Sequence, residues 1–492
     1  PVSWSGYHYG FHTFSAGIAL MLGDRIGLPD LLLATMQLLS TLVCLAVYAG
    51  GKLLTGRSAV GWIAAFMVGL PFLFPAYYST WGRLTQISGM LVLPLLAGLL
   101  VHLGWKKDQR SWTIAILALL TAGLFLLHAR VFFYFIPFGL VLAGFYAVGW
   151  LGHEKPAKWS ASFFYRGPIL QLFVIGLLAA GLVAPRLWRL FNETTYTGIG
   201  VVSSSGGRPL LQFPIQYVNA GWELWFWMAA ASAVAFAIVY RWLDPDGAWF
   251  LKVTGLLSLW LGLLYLMTAG PDLHPNWPIL LPQASVNSAY IASFAAEAIL
   301  IGLAILLLYK IVNHFHRLGG LVVMAFVGAA LMASGLFGIK NQVVILNRVT
   351  ILGKPAEIAA IEWIDENTPP NAKIANNAWL WLNSTWAGTD ASGWITPMTG
   401  RLTGTPPIDH IYNSRLFGIT SGFNDAAKNI DDWSQPEPID LLRANSFSHI
   451  YIGINDGGGG VNMDPAQLLL NDEVAPVYTD AGVYIFEILD PQ

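Results

Sequence analysis

The chain has 492 residues, of which 55% are hydrophobic and only 11% charged, and its mean hydropathy is +0.56. Such values exclude an ordinary soluble globular protein and assign most of the chain to lipid. The net charge of −2 implies no general attraction to nucleic acid, and a lone cysteine, Cys44, excludes an intramolecular disulfide or a cysteine-based metal site.

The sequence opens at Pro1 with no basic-then-apolar leader, so it reads as lacking an upstream segment. Tyr7-His8-Tyr9-Gly10-Phe11-His12 comes first, and a helix there would put His8 and His12 on one face at i and i+4. That spacing suits either a metal pair or an interfacial belt of aromatic and histidine residues. It is not the zinc-protease motif, since no Glu follows His8.

Ten apolar runs follow, each of a length to cross a bilayer as a helix with every backbone amide satisfied internally. They are 31–50, 58–78, 84–105, 111–127, 131–151, 167–184, 224–240, 253–270, 289–309 and 318–339. The expected fold is mainly α: a polytopic bundle of about ten spans over residues 1–340, then a soluble α/β domain over 341–492.

Lysine and arginine set the orientation, because they are retained on the cytoplasmic side during insertion. One alternate set of loops carries twelve of them: Lys52, Arg57, Lys106, Lys107, Arg110, Lys155, Lys158, Arg166, Arg241, Lys252, Lys310 and Arg317. The opposite set holds six, all arginine: Arg25, Arg83, Arg130, Arg186, Arg189 and Arg208. The first set is therefore expected in the cytoplasm, and the C-terminal domain outside the cell membrane. A guanidinium grips phosphate through two parallel bonds, so an all-arginine outer rim suits a phosphorylated ligand, and it equally suits anchoring to lipid headgroups.

Several segments concentrate polar groups at that rim. Trp81-Gly82-Arg83-Leu84-Thr85-Gln86 occupies the turn between the second and third runs, and His128-Ala129-Arg130 the turn between the fourth and fifth. Glu297 falls inside an otherwise apolar run and is a functional candidate, with a structural hydrogen bond as its alternative. A long outer loop from Pro185 to Glu223 holds Arg186, Arg189, Glu193, Arg208 and Ser203-Ser204-Ser205-Gly206-Gly207, and a second, from Pro271 to Ser288, holds Asp272, His274, Asn276 and Trp277.

Beyond residue 340 the composition changes, with seven Lys or Arg against eighteen Asp or Glu and a net charge of −11. Pro355 to Asn367 reads as a helix stopped by Pro369-Pro370, with strands at Lys373 to Ala375, His449 to Ile454 and, after an Asp480-Ala481-Gly482 turn, Val483 to Ile488. Gly457 to Gly460 reads as a flexible loop and lacks the Lys-Ser or Lys-Thr of a phosphate loop.

This organisation resembles the C-type (GT-C) membrane glycosyltransferase superfamily, which includes protein O-mannosyltransferases and oligosaccharyltransferases. The likeness rests on Gly6-Tyr7-His8-Tyr9-Gly10-Phe11-His12, Trp81-Gly82-Arg83, the loop from Pro185, and two C-terminal segments. These are Glu362-Trp363-Ile364 through Thr368-Pro369-Pro370-Asn371-Ala372-Lys373, and Pro397-Met398-Thr399-Gly400-Arg401.

The resemblance implies transfer of a sugar from a polyprenyl-phosphate donor to a glycan, protein or lipid acceptor on the extracytoplasmic face, with membrane lipid as partner and no nucleic acid. It makes Arg83, Arg130, Arg186, Arg189 and Arg208 candidate phosphate partners, lets His8 and His12 shape the acceptor side, and leaves a divalent metal open, with Glu193 as an assistant. The family's catalytic Asp or Glu has no matched position here; Asp24 and Asp30 follow the His8 and His12 segment and do not inherit the role. Trp81, Gln86, His128 and Glu297 complete the candidate substrate-binding set. A transporter or flippase of an anionic substrate, using Glu297 and the arginines, and a non-catalytic scaffold are the competing readings. Against the transporter stand the lack of an internal repeat, with Pro71, Pro94 and Pro137 scattered in the spans, and the large soluble domain.

Overall fold

The computed structural model describes residues 8–73, 75–105, 111–148, 168–193, 223–273, 286–346, 351, 353–381, 385–454 and 460–490. The chain divides into two compact units, one comprising residues 8–185 and 203–346, the other holding residues 186–193 and 347–492.

The first unit is a helical bundle. Its helices are α1 (Gly10–Leu22), α2 (Leu28–Thr55), α3 (Ser58–Gly69), the single turn α4 (Ala76–Ser79), α5 (Leu84–Trp105), α6 (Ser111–Leu127) and α7 (Ala129–Ala147). They continue as α8 (Pro168–Glu193), α9 (Glu223–Leu243), α10 (Gly247–Leu273), α11 (Val286–Phe315) and α12 (Arg317–Val343). Among the described residues eight of these are long and apolar enough to cross a membrane, and the protein is a multi-pass membrane protein. Each of the ten expected runs contains a helix among its described residues. The two that fall short are α6 and α3.

The run expected at 58–78 is broken after Gly69, which corrects the reading of one continuous span. Pro71 lacks the N–H that would continue the ladder. The carbonyls released at the break are taken up by α12, where Gln342 Nε2 donates to Gly69 O at 3.3 Å, Leu70 O at 2.9 Å and Phe72 O at 3.0 Å. Irregular backbone is tolerated at membrane depth when protein satisfies it in this way. The long loop expected from Pro185 is also corrected: α8 continues through Pro185 to Glu193, because Leu187, Trp188 and Leu190 prolong the apolar pattern and Pro is tolerated within membrane helices.

Packing follows small residues, since lipid tails remove the hydrophobic drive between helices and close approach must supply the attraction. A Cβ on Gly50 would stand 2.5 Å from Pro94 O, and one on Gly302 would stand 2.8 Å from Val60 O, so α2, α5, α3 and α11 meet backbone to backbone. The central helix is α11, 83% of whose apolar stretch is buried, against 17% for α8 and for α12.

Among the described residues of the bundle, basic residues of the two sets stand at opposite ends. Arg57 pairs with Asp246 at 2.6 Å, while Lys310 Nζ donates to the Tyr240 hydroxyl and that hydroxyl to Asp244. Arg83 and Arg130 lie at the other end, at the starts of α5 and α7. These are called the lysine end and the arginine end below.

The second unit is an α/β domain. Its elements are α13 (Pro355–Asn367), β1 (Lys373–Asn376), β2 (Ala378–Trp381), β3 (Thr385–Gly388), α14 (Ile395–Thr399), β4 (Leu402–Thr403), α15 (Ser414–Ala427) and α16 (Pro436–Ala444). They continue as β5 (His449–Ile452), α17 (Pro465–Leu468), β6 (Val474–Asp480) and β7 (Val483–Ile488). One sheet has the order β4-β1-β5-β7-β6, with β4, β1 and β5 parallel and β7 and β6 antiparallel; β2 and β3 form a separate hairpin.

Alternation along β5 separates the two faces of the sheet: Tyr451 packs with Ile361 and Ile364 of α13, while Ile450 and Ile452 pack with Phe423 of α15 and Leu442 of α16. The Asp480-Ala481-Gly482 signal becomes the β6–β7 hairpin turn, with φ of 46° at Ala481 and 85° at Gly482, the sign a primed turn requires. Most of Gly457 to Gly460 lies outside the described residues.

Arg401 ties together the two C-terminal segments that carry the family resemblance. Its guanidinium pairs with Asp365 and donates to Asp365 O at 2.7 Å and Thr368 O at 2.9 Å, satisfying carbonyls at the end of α13. Those segments are therefore a structural lock.

Candidate functional site at the arginine end of the bundle

Three helix starts converge at the arginine end, and two glycines bring them there. A Cβ on Gly10 would stand 2.9 Å from the backbone of Leu126, so only glycine lets the start of α1 lie against the end of α6. A Cβ on Gly89 would stand 3.1 Å from Val131 Cγ2 and 3.3 Å from His128 Cβ, which seats the first turns of α5 on the start of α7.

The first of these contacts puts His8 beside His128, their rings 4.4 Å apart between centroids and inclined by 31°. Both imidazoles serve α7. Val131 N–H donates to His128 Nδ1 and Ala129 N–H to His8 Nδ1, each at 3.3 Å, so two of the helix's unpaired amides are capped by ring nitrogens. A ring nitrogen that accepts carries no proton, so both imidazoles are neutral in this arrangement and keep their proton on Nε2. His128 is buried, and Arg83, Arg130 and His8 act on it electrostatically.

Arg83 lies exposed above the cluster. Its guanidinium sits 5.2 Å from the Trp81 ring and 5.7 Å from the Tyr78 ring, and Nη1 donates to Gln86 Oε1 at 3.3 Å. Two aromatic faces and one amide oxygen hold the planar group in place, which limits the rotamer freedom it would lose on gripping an anion. The turn beneath needs Gly82, whose φ is 61°. Gln86 is buried.

The structure thus brings together His8, Trp81, Arg83, Gln86, His128 and Arg130. His12 lies in the first turn of α1, its ring edge-on to Phe11. Arg186 and Arg189 are a turn apart on α8, the first buried and the second exposed, and belong to the other compact unit. Arg208 lies outside the described residues, as do the Glu193 and Asp272 side chains, Ser203 to Gly207, His274, Asn276 and Trp277. Glu297 does not join the cluster: it stands deep in α11, fully buried. Sequence reasoning passed over Tyr78, whose only signal was its place five residues before Arg83.

The described residues assemble no group of three or more His, Cys, Asp or Glu able to hold a metal. What the cluster can do is bind negative charge: two guanidinium groups and two imidazole N–H donors meet at the start of a long helix, whose dipole also favours an anion.

Fold and site together define a polytopic membrane protein with an anion-binding cluster at one end of its helical bundle. The chain is similar to the archaeal oligosaccharyltransferase AglB from Archaeoglobus fulgidus, solved in complex with an inhibitory peptide and a dolichol-phosphate. The likeness covers 91% of this chain and 61% of that one, with TM-score 0.51 and 15% identity. The Archaeoglobus fulgidus oligosaccharyltransferase in complex with Zn and sulfate is similar over 99% of this chain and 65% of its own, with TM-score 0.51 and 13% identity. The mycobacterial arabinofuranosyltransferase AftD is similar over 98% of this chain and 36% of its own, with TM-score 0.57 and 14% identity. The three structures are of GT-C membrane glycosyltransferases, and the likeness shows their fold in this chain. The chain spans less than two thirds of the length of these neighbours. No family model matches the chain, and no curated protein does.

Proposed function

We propose that the protein is a membrane glycosyltransferase that moves a sugar from a polyprenyl-phosphate-linked donor to an acceptor on the extracytoplasmic face. The arginine end is then the extracytoplasmic end, and the acidic α/β domain lies on the same side. The observation that carries this reading is the convergence of Arg83, Arg130, His8 and His128 at the start of α7.

Glycosyl transfer from such a donor leaves negative charge on the departing lipid phosphate, and preorganised cations and N–H donors stabilise charge that develops there. Arg83 presents its fork from an aromatic seat at the start of α5, where a lipid phosphate lying at headgroup depth meets it. The shared fold adds support, since one of its holders was solved with a dolichol-phosphate. The acceptor hydroxyl needs a general base, and the reading assigns that role to no residue of this chain.

Membranes containing the protein, given a radiolabelled polyprenyl-phosphate sugar, should move label from lipid to acceptor, and Arg83→Ala and His128→Ala should each abolish the movement. Label that stays on the lipid with every acceptor class supplied, or transfer untouched by both substitutions, would sink the proposal.

A further inference from the structure

Glu297 is the buried titratable group that the site at the arginine end leaves unused. It stands in the middle of α11, about 17 Å from the helix start and about 20 Å from Lys310 at 1.5 Å per residue. Its level in the bundle is set by neighbours on α11: Gly302 packs on Val60 of α3, and the Tyr290 ring lies 6.4 Å from that of Phe72 just past the break. Glu297 falls between them, with none of its surface exposed.

Neither carboxyl oxygen of Glu297 has a hydrogen-bond partner among the described residues, nor has the hydroxyl of Ser293 one turn away, which is also fully buried. Tyr290, on the same face, is its electrostatic neighbour, and Tyr78 lies beyond. The helices packed against α11 carry their charges near their ends: Asp30 and Lys52 on α2, Arg130 on α7, Glu223 and Arg241 on α9, Lys252 and Asp272 on α10, and Arg317 and Lys340 on α12. α3 carries no charged residue, and α5 only His102 near its far end. The remaining titratable groups of these helices are Cys44 and Tyr48 on α2, Tyr134 and Tyr146 on α7, Tyr240 on α9 and Tyr265 on α10, none of them cationic.

An isolated carboxylate in such surroundings costs far more than the protonation that removes its charge. A metal cation would not relieve it. Hard cations such as calcium take about six to eight oxygen ligands, whereas α11 is unbroken here, its carbonyls are committed to the helix, and only the Tyr290, Ser293 and Glu297 side chains supply oxygen on this face.

We propose that Glu297 is a proton-binding site at the centre of the bundle, a carboxylic acid that is neutral while the helices are closed and releases its proton only when water reaches it. Any movement that parts α11 from the segment around Phe72 is then linked to proton exchange.

The test is infrared difference spectroscopy of the full chain in lipid nanodiscs at neutral pH, wild type minus Glu297→Gln, in choline chloride and in sodium chloride. Glutamine matches the neutral acid in shape and charge, and carbon-13 labelling of glutamate in the wild type reports the same band without any variant. The expected result is the carbonyl stretch of a protonated carboxyl, slow to exchange in heavy water and identical in both salts. Carboxylate stretches in its place, or an acid band that disappears when sodium is added, would overturn the proposal.

Discussion

Gln342 holds Leu70. The amide of one, near the end of α12, donates at 2.9 Å to the carbonyl of the other, at the point where α3 breaks, and it reaches the Gly69 and Phe72 carbonyls as well. One turn earlier, Gly338 lets the two backbones close, since a Cβ there would stand 2.9 Å from Pro71 Cα. The segment so gripped runs on to Trp81 and Arg83, so the position of the candidate anion site depends on a side chain contributed from more than 250 residues further along the chain.

Gln342→Met keeps the volume and removes the donor. Each carbonyl left unpaired away from water costs about 1–3 kcal/mol, so the variant should melt several degrees lower in detergent, followed by intrinsic tryptophan fluorescence. An unchanged melting temperature would mean that solvent serves these carbonyls equally well.

Gly453 follows β5 where two buried carboxylates close in. A Cβ there would stand 2.6 Å from Asp390 Oδ2 and closer still to Glu357 Oε1. Those oxygens are already engaged: Asp390 accepts from Ser392 N–H and Gly453 N–H at 2.9 Å each, and Glu357 from Lys354, Ile454 and Ala391. Overpacking of this kind costs about 1–3 kcal/mol. Gly453→Ala should therefore speed limited proteolysis of the C-terminal domain while the bundle fragments stay intact, and equal cleavage rates would refute the crowding.

One of these carboxylates, Asp390, makes the C-terminal domain sensitive to pH. Burial pushes the Asp390 carboxyl up to about 6, the amides of Ser392 and Gly453 oppose that, and Glu357 adds to it. A folded pKa above the unfolded value means the folded state binds more protons, so this contribution is fully present below about pH 3.9 and lost as pH rises through about 6. Two units amount to about 3 kcal/mol. His410 and His449, lowered chiefly by burial, act in the opposite sense near their unfolded pKa. Comparison with Asp390→Asn isolates the aspartate: the stability gap between wild type and variant, followed by chemical denaturation, should shrink from pH 4 to pH 7. A gap constant over that range would assign Asp390 an ordinary pKa.

Much of the bundle was legible because a helix in lipid announces itself by an apolar run of the right length, as at 84–105 and 111–127. Helix α13 was legible to the residue, since Pro355 starts it and Thr368-Pro369-Pro370 ends it. The break at Leu70 was not, because Pro71 sits in a run whose composition stays apolar throughout and the partner that makes the break tolerable is Gln342. Strand β4, only two residues long, and the hairpin β2–β3 carry too little pattern to be seen. At the site, His8, Arg83 and His128 each stood out as polar groups at a rim. Their convergence did not, because it is made by Gly10 and Gly89 against residues far off in sequence.

Arg83→Lys tests the seat of the guanidinium. The charge remains, but the planar fork and its stacking on Trp81 and Tyr78 are lost. If the group grips a lipid phosphate through two bonds, KM for a polyprenyl-phosphate sugar should rise about tenfold or more, since hydrogen bonds to charged groups contribute about 1.5–3 kcal/mol. Arg83 is exposed, so the melting temperature should not move. His128→Asn gives the contrasting case: an asparagine oxygen can still cap α7 by accepting from Val131 N–H, so stability should hold while the imidazole donor disappears and kcat falls. Steady-state kinetics with melting curves on the same preparations separate the two. Lysine at 83 matching wild type in KM would show that position 83 supplies charge without the bidentate geometry that the aromatic seat is built to hold.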